Sequence, residues 1–107
     1  MSFKVIPTPL FERELKKLSK RYSSIKSDLA ATIVSLKENP SLGESLGNNC
    51  FKVRMAISSK NKGKSGGARV ITYVKIVDEI IFLISIYDKS DADSISDKEL
   101  LSRVKDL

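Results

Sequence analysis

The sequence holds 107 residues, 41% of them apolar and 30% charged, with a net charge of +6, one cysteine and no histidine. That length fits one domain with its own core, expected over residues 1–107. A lone cysteine excludes an internal disulfide framework, and the missing histidine excludes Ser-His-Asp and Cys-His nucleophile systems, histidine-based nuclease chemistry and nearly all catalytic zinc sites.

In chain order, Phe3-Lys4-Val5-Ile6 reads as a short first strand that Pro7 stops. Thr8 can cap a helix and Pro9 suits its first turn, where a missing N–H costs nothing. Leu10, Phe11, Leu15 and Leu18 then recur at helical spacing, with Glu12 and Glu14 early and lysines late, as the helix dipole favours. A second helix is expected from Ser23 or Ser24, with Ile25, Leu29, Ile33 and Leu36 as its apolar stripe and Asn39-Pro40 as its stop. The pair reads as a helical hairpin. Residues 41–49 read as a loop.

The pattern then changes to period two. Phe51, Val53, Met55 and Ile57 alternate with Lys52, Arg54 and Ala56, giving a strand with one apolar and one basic face. A lysine- and glycine-rich loop over 58–67 leads into a second alternating strand, in which Val70, Thr72, Val74 and Ile76 interleave with Arg69, Ile71, Tyr73 and Lys75. Asp78-Glu79 reads as a turn, and Ile80 to Tyr87 is almost continuously apolar, as a strand covered on both faces requires. The longest apolar run, Ile80–Ile84, is too short to span a membrane, and no signal peptide is visible in the first residues. Ser96-Asp97-Lys98-Glu99 has the spacing of a capping box and opens a last helix through Leu100, Leu101 and Val104. The order β-α-α-β-β-β-α places the chain in the α+β class.

The +6 is not evenly spread. Residues 1–51 carry eight basic and five acidic side chains, and residues 70–107 carry five basic and eight acidic ones, so the flanks cancel. The whole excess lies in residues 52–69, where Lys52, Arg54, Lys60, Lys62, Lys64 and Arg69 occur with no acid. Such a segment suits a phosphate backbone, each contact releasing counterions; the plainer reading is a solvated hairpin with a lysine-rich tip. Lys52 and Arg54, two apart, project from one strand face, and Arg69 opens the neighbouring strand. Gly66-Gly67 matches no phosphate-binding fingerprint and reads as loop glycines or a bulge. Asp88, Asp91, Asp93 and Asp97 lack the spacing of a calcium loop, so no metal site is expected. Cys50 reads as a small buried residue, and Tyr73 and Tyr87 as packing residues.

Phe51-Lys52-Val53-Arg54-Met55, the basic loop closing in Gly66-Gly67-Ala68-Arg69, and Ile84-Ser85-Ile86-Tyr87-Asp88-Lys89, in this order and spacing, resemble the RelE/ParE superfamily of bacterial toxins. They are most similar to its HigB-like branch. The resemblance implies a RelE-like fold: a small antiparallel sheet, an N-terminal helical hairpin on one face and a C-terminal helix. It implies the toxin of a type II toxin–antitoxin system, a cytoplasmic, ribosome-dependent endoribonuclease that cleaves translated mRNA and needs neither cofactor nor metal. Its implied partners are mRNA, the ribosome and a cognate antitoxin, in this branch of helix-turn-helix type; no membrane is involved.

By the same resemblance Lys52 and Arg54 stand at catalytic basic positions, Arg69 contacts the scissile phosphate and Lys89 takes part. From the charge and glycine content of their loop, Lys60, Lys62 and Lys64 are expected to contact RNA or the ribosome. The downstream tyrosine of many RelE toxins is absent, with Ile95 roughly in its place. Attack of the RNA 2′-OH on its own phosphate needs only charge stabilisation and two proton transfers, which fits a site built of lysine and arginine. Two other readings stay open: a ParE-like inhibitor of gyrase without nuclease activity, and a non-catalytic RNA- or DNA-binding module.

Overall fold

The computed structural model describes residues 3–60, 66–92 and 94–107. Strand β1 (Lys4–Pro7) leads into helices α1 (Pro9–Arg21) and α2 (Ile25–Glu38). Strands β2 (Glu44–Gly47), β3 (Cys50–Met55), β4 (Ala68–Lys75) and β5 (Ile80–Asp88) follow, and helix α3 (Asp97–Val104) ends the fold. Short 3₁₀ turns occupy Ser58–Lys60 and Ile76–Asp78. Among the described residues, no helix is long and apolar enough to cross a membrane.

The expected α+β fold is present, with the helical hairpin and the last helix in their expected places. The helix boundaries follow their chemistry. The Thr8 hydroxyl accepts the Phe11 amide at 3.4 Å and donates to the Leu83 carbonyl at 2.9 Å, so one side chain ends β1 and starts α1. The Ser96 hydroxyl accepts the Glu99 amide at 3.1 Å and starts α3.

The sheet order is β1-β5-β4-β3-β2. Strands β2 to β5 form an antiparallel meander, whereas β1 lies parallel to β5. The chain leaves β1 into the helices instead of a tight turn, and β1 pairs with the last strand, β5, at the edge of the sheet. Strand β2 lies where a loop was expected. It pairs with β3 through a two-residue turn in which Asn48 and Asn49 both have positive φ, 53° and 61°. That geometry matches the twist of the paired strands, and asparagine tolerates it.

The two faces of the sheet carry different layers. Phe11, Leu18, Ile25, Leu29 and Leu36 of the hairpin pack on Val53, Met55, Val70, Val74, Ile81, Leu83 and Ile86. On the other face Leu100 of α3 packs on Cys50, Ile71 and Ile84.

Strand β5 breaks its own alternation. Ile71 pairs with Ser85 but Thr72 pairs with Leu83, so Ile84 is an extra residue, a β-bulge. An α1–α3 ion pair braces it. Glu14 Oε1 accepts from the Ser85 hydroxyl at 3.0 Å and the Ile86 amide at 3.3 Å. Arg103 donates to the Ile84 carbonyl at 2.9 Å and to both Glu14 oxygens at 3.2 Å. A one-residue slip exchanges the two faces for every residue beyond it. The bulge therefore sets Tyr87 opposite Arg69 on the α3 face and turns Asp88 toward the helical hairpin.

Candidate functional site

The site forms where the ends of β3, β4 and β5 meet. Arg54 is the register partner of Arg69, and Arg69 is the register partner of Tyr87. One step along, Lys52 pairs with Ile71, which pairs with Ser85. The three cations expected from the sequence, Lys52, Arg54 and Arg69, thus share one sheet face, and the bulge adds Tyr87 to their row.

They differ in depth. Arg54 is exposed, and no ion pair holds it among the described residues. Lys52 is 17% exposed along its side chain, and its ammonium lies 3.9 Å from Glu44 on the paired strand. Arg69 is buried, with 3% of its surface exposed, and its guanidinium donates to the Ala68 carbonyl at 3.1 Å. Tyr87 is half-buried. Arg54 thus lies at the surface of the row and Arg69 beneath it.

Gly43, which sequence reasoning passed over as loop, shapes the rim. Its φ is +102°, and a Cβ there would stand 2.5 Å from the Lys52 carbonyl oxygen. Glycine lets the 42–44 segment lie against the β3 backbone, forming a shallow concavity with Glu44, Lys52 and Arg54.

Lys89 follows the last residue of β5 and is exposed; its amide donates to the Gly67 carbonyl at 3.0 Å, which ties it to the start of β4 near Arg69. Lys60 has a different setting from the loop lysine expected. Its ammonium donates to Asp88 at 2.7 Å, lies 5.4 Å from the centre of the Tyr22 ring, and is 15% exposed along the side chain. Lys62 and Lys64 lie outside the described residues.

In the sequence Asp88 stands inside the Ile84–Lys89 segment and among four aspartates that lack calcium-loop spacing. It is fully buried. It also accepts from the Tyr22 hydroxyl, from the Ser90 amide at 3.0 Å and from the Ser90 hydroxyl at 2.8 Å, with Arg21 3.6 Å away. Burial disfavours its charged form, but the hydrogen bonds from Lys60, Tyr22 and Ser90 outweigh that and hold the carboxyl well below the usual carboxylate range. The same contact raises the Lys60 ammonium. Next to it, Asp28 of α2 accepts the Ser58 amide at 2.9 Å and hydroxyl at 2.6 Å, and these bonds lower its carboxyl against the opposing effect of burial. Among the described residues, no cluster of carboxylates and thiols could hold a metal ion. Cys50 is buried, and burial pushes its thiol up to about 11.

Chemically, the row offers charge stabilisation to an anion whose negative charge grows during reaction.

A family model described as the RelE toxin of the RelE/RelB toxin–antitoxin system matches residues 4–106. Among solved structures, a mutant of the E. coli toxin RelE in the free state aligns with TM-score 0.62 and 21% identity, covering 87% of this chain and 90% of that one. The intact E. coli RelBE toxin–antitoxin complex aligns with TM-score 0.63 and 20% identity, covering 80% and 95%. The isolated E. coli RelE toxin aligns with TM-score 0.56 and 20% identity, covering 98% and 99%. No curated protein sequence matches.

Proposed function

This chain belongs to the RelE toxin family, and from that premise we propose that it is a ribosome-dependent endoribonuclease that cleaves translated mRNA without a metal. One toxin domain spans residues 1–107, it acts in the cytoplasm where ribosomes are, and a cognate antitoxin neutralises it. The HigB-like character of the basic loop points to a helix-turn-helix antitoxin.

The observation that carries the reading is the cross-strand row of Arg54 and Arg69 with Lys52 beside it. Two arginines at register-partner positions, with a lysine beside them, concentrate positive charge on one sheet face, which suits an anionic phosphate. In the proposed reaction the RNA 2′-OH attacks its adjacent phosphorus, the new O–P bond forms as the 5′-oxygen bond breaks, and a 2′,3′-cyclic phosphate and a 5′-hydroxyl result. Arg69 stabilises the charge on the phosphate oxygens from the floor of the site. Lys52 or Arg54 positions or activates the 2′-OH, and Lys89 stabilises or protonates the leaving oxygen. Lys62 and Lys64 add sequence-independent attraction to RNA or the ribosome.

The test is induced expression followed by mapping of mRNA 5′ ends. Codon-spaced cuts in translated messages support the reading. Intact mRNA with arrested supercoiling overturns it in favour of gyrase inhibition. An Arg69→Ala protein that still arrests growth and still cuts mRNA on ribosomes overturns the site.

A further inference from the structure

We propose that Asp88 is a positioning residue of this site, acting from the opposite face of the sheet to fix Arg69 and Lys89 where RNA meets them. The proposal rests on the nuclease reading above.

The carboxylate joins three pieces of chain. It closes the end of α1 through Tyr22 and Arg21, the 58–60 turn through Lys60, and the turn after β5 through both donors of Ser90. Its own carbonyl accepts the Asp91 amide at 2.9 Å and the Ala92 amide at 3.3 Å, which rounds off the turn carrying Lys89. Its register partner is Ala68, whose neighbour is Arg69, and the Lys89 amide bonds to Gly67 on the same strand end. The proposed phosphate ligands therefore sit one residue away from Asp88, one along the chain and one across the ladder.

A buried carboxylate fits this task because it can accept several bonds at once and each is strengthened by its charge. The β5 bulge is what points it inward. Without that slip, Asp88 would share the face of the cations and cancel them. Turned to the other side, it fastens their backbone while its charge is taken up by Lys60 and Arg21.

The experiment compares wild type, Asp88→Asn and the double variant Asp88→Asn with Lys60→Gln, each as the full chain, for steady-state cleavage of ribosome-bound mRNA and for urea stability. The double variant leaves no buried ammonium without its anion, so it recovers most of the stability that Asp88→Asn loses. Expected for both variants is a fall in kcat of tenfold or more with KM within twofold. Recovery of wild-type kcat in the double variant overturns the proposal, because Asp88 would then serve stability alone. A second readout stands apart from activity: hydrogen exchange of the Lys89 amide, expected to quicken at least tenfold in both variants and to overturn the proposal if unchanged. A wild-type protein that leaves mRNA intact overturns the nuclease reading, while the Lys89 amide still decides whether Asp88 fixes that turn.

Discussion

Two charged groups sit back to back across β4 and β5, and they are built oppositely. On the α3 face, Arg54 and Arg69 stand opposite each other with Lys52 beside them, cation next to cation. On the hairpin face, Asp88 collects Lys60, Tyr22, Ser90 and Arg21 around one carboxylate. Lys60 and Arg54 come from the same acid-free stretch of sequence, yet one charge is paired within the fold and the other is exposed, with no ion pair among the described residues. A cation count over a segment therefore overstates what the segment can offer a phosphate.

The sharpest way to break this comparison is to measure stability on both sides. Asp88→Ala leaves Lys60 without its anion and empties a buried hydrogen-bond centre. Breaking such a pair costs about 3–5 kcal/mol. Arg54→Ala removes an exposed side chain, and its effect should stay within about 0.5 kcal/mol. Urea unfolding of both proteins checks this, and equal losses would mean that the two clusters are alike in role.

Next in size is the effect on catalysis. Arg69→Ala should lower the single-turnover cleavage rate about 10²–10³-fold, the usual result of removing one charge-stabilising donor. Circular dichroism must show the fold retained. A fall of less than threefold would move the chemistry away from the row.

Much of this arrangement was legible in the sequence, and the rest was hidden for definable reasons. Thr8, Pro9, Asn39-Pro40 and Ser96 mark helix ends through local chemistry, so the helices could be read within the chain. Period two in 51–57 places Lys52 and Arg54 on one face, and only the pairing of β3 with β4 brings Arg69 to it. The bulge at Ile84 was invisible because a continuous apolar run has no alternation to interrupt, and because Glu14 and Arg103, far away in the chain, brace it. The inward turn of Lys60 was invisible for a similar reason: its partners come from α1 and β5. Strand β2 is hidden in the sequence because its residues lack β-branched side chains, and the Asn48-Asn49 turn is its one local signal.

Acid should separate the clusters by a smaller margin. The Asp88 carboxyl titrates lower in the folded chain than its unfolded value of about 3.9. Its contribution is therefore complete above that value and is lost as pH falls below it through the folded pKa. Asp28 shifts in the same direction and adds to the loss. Wild type should lose stability steeply below about pH 4, and the stability gap between wild type and Asp88→Asn should shrink over the same range. A gap that stays constant down to acid unfolding would show that Asp88 carries no charge-dependent share of the fold.

The smallest effect is also the most direct comparison of the two groups. Arg54→Ala and Lys60→Met each remove one positive charge, so a net-charge view predicts equal weakening of RNA binding. The structure predicts otherwise. Each phosphate contact to single-stranded nucleic acid contributes about 0.7 to the slope of log affinity against log salt. Arg54 is exposed and holds no ion pair among the described residues, so its loss should reduce the slope by about that much. Lys60 already faces Asp88 at 2.7 Å and has no counterion to release to RNA, so its loss should leave the slope unchanged. Titration of a short single-stranded RNA at several salt concentrations reads both slopes. Equal reductions would mean that Lys60 leaves Asp88 for the phosphate when RNA binds, and the division between the two faces would fail at the residue that best defines it.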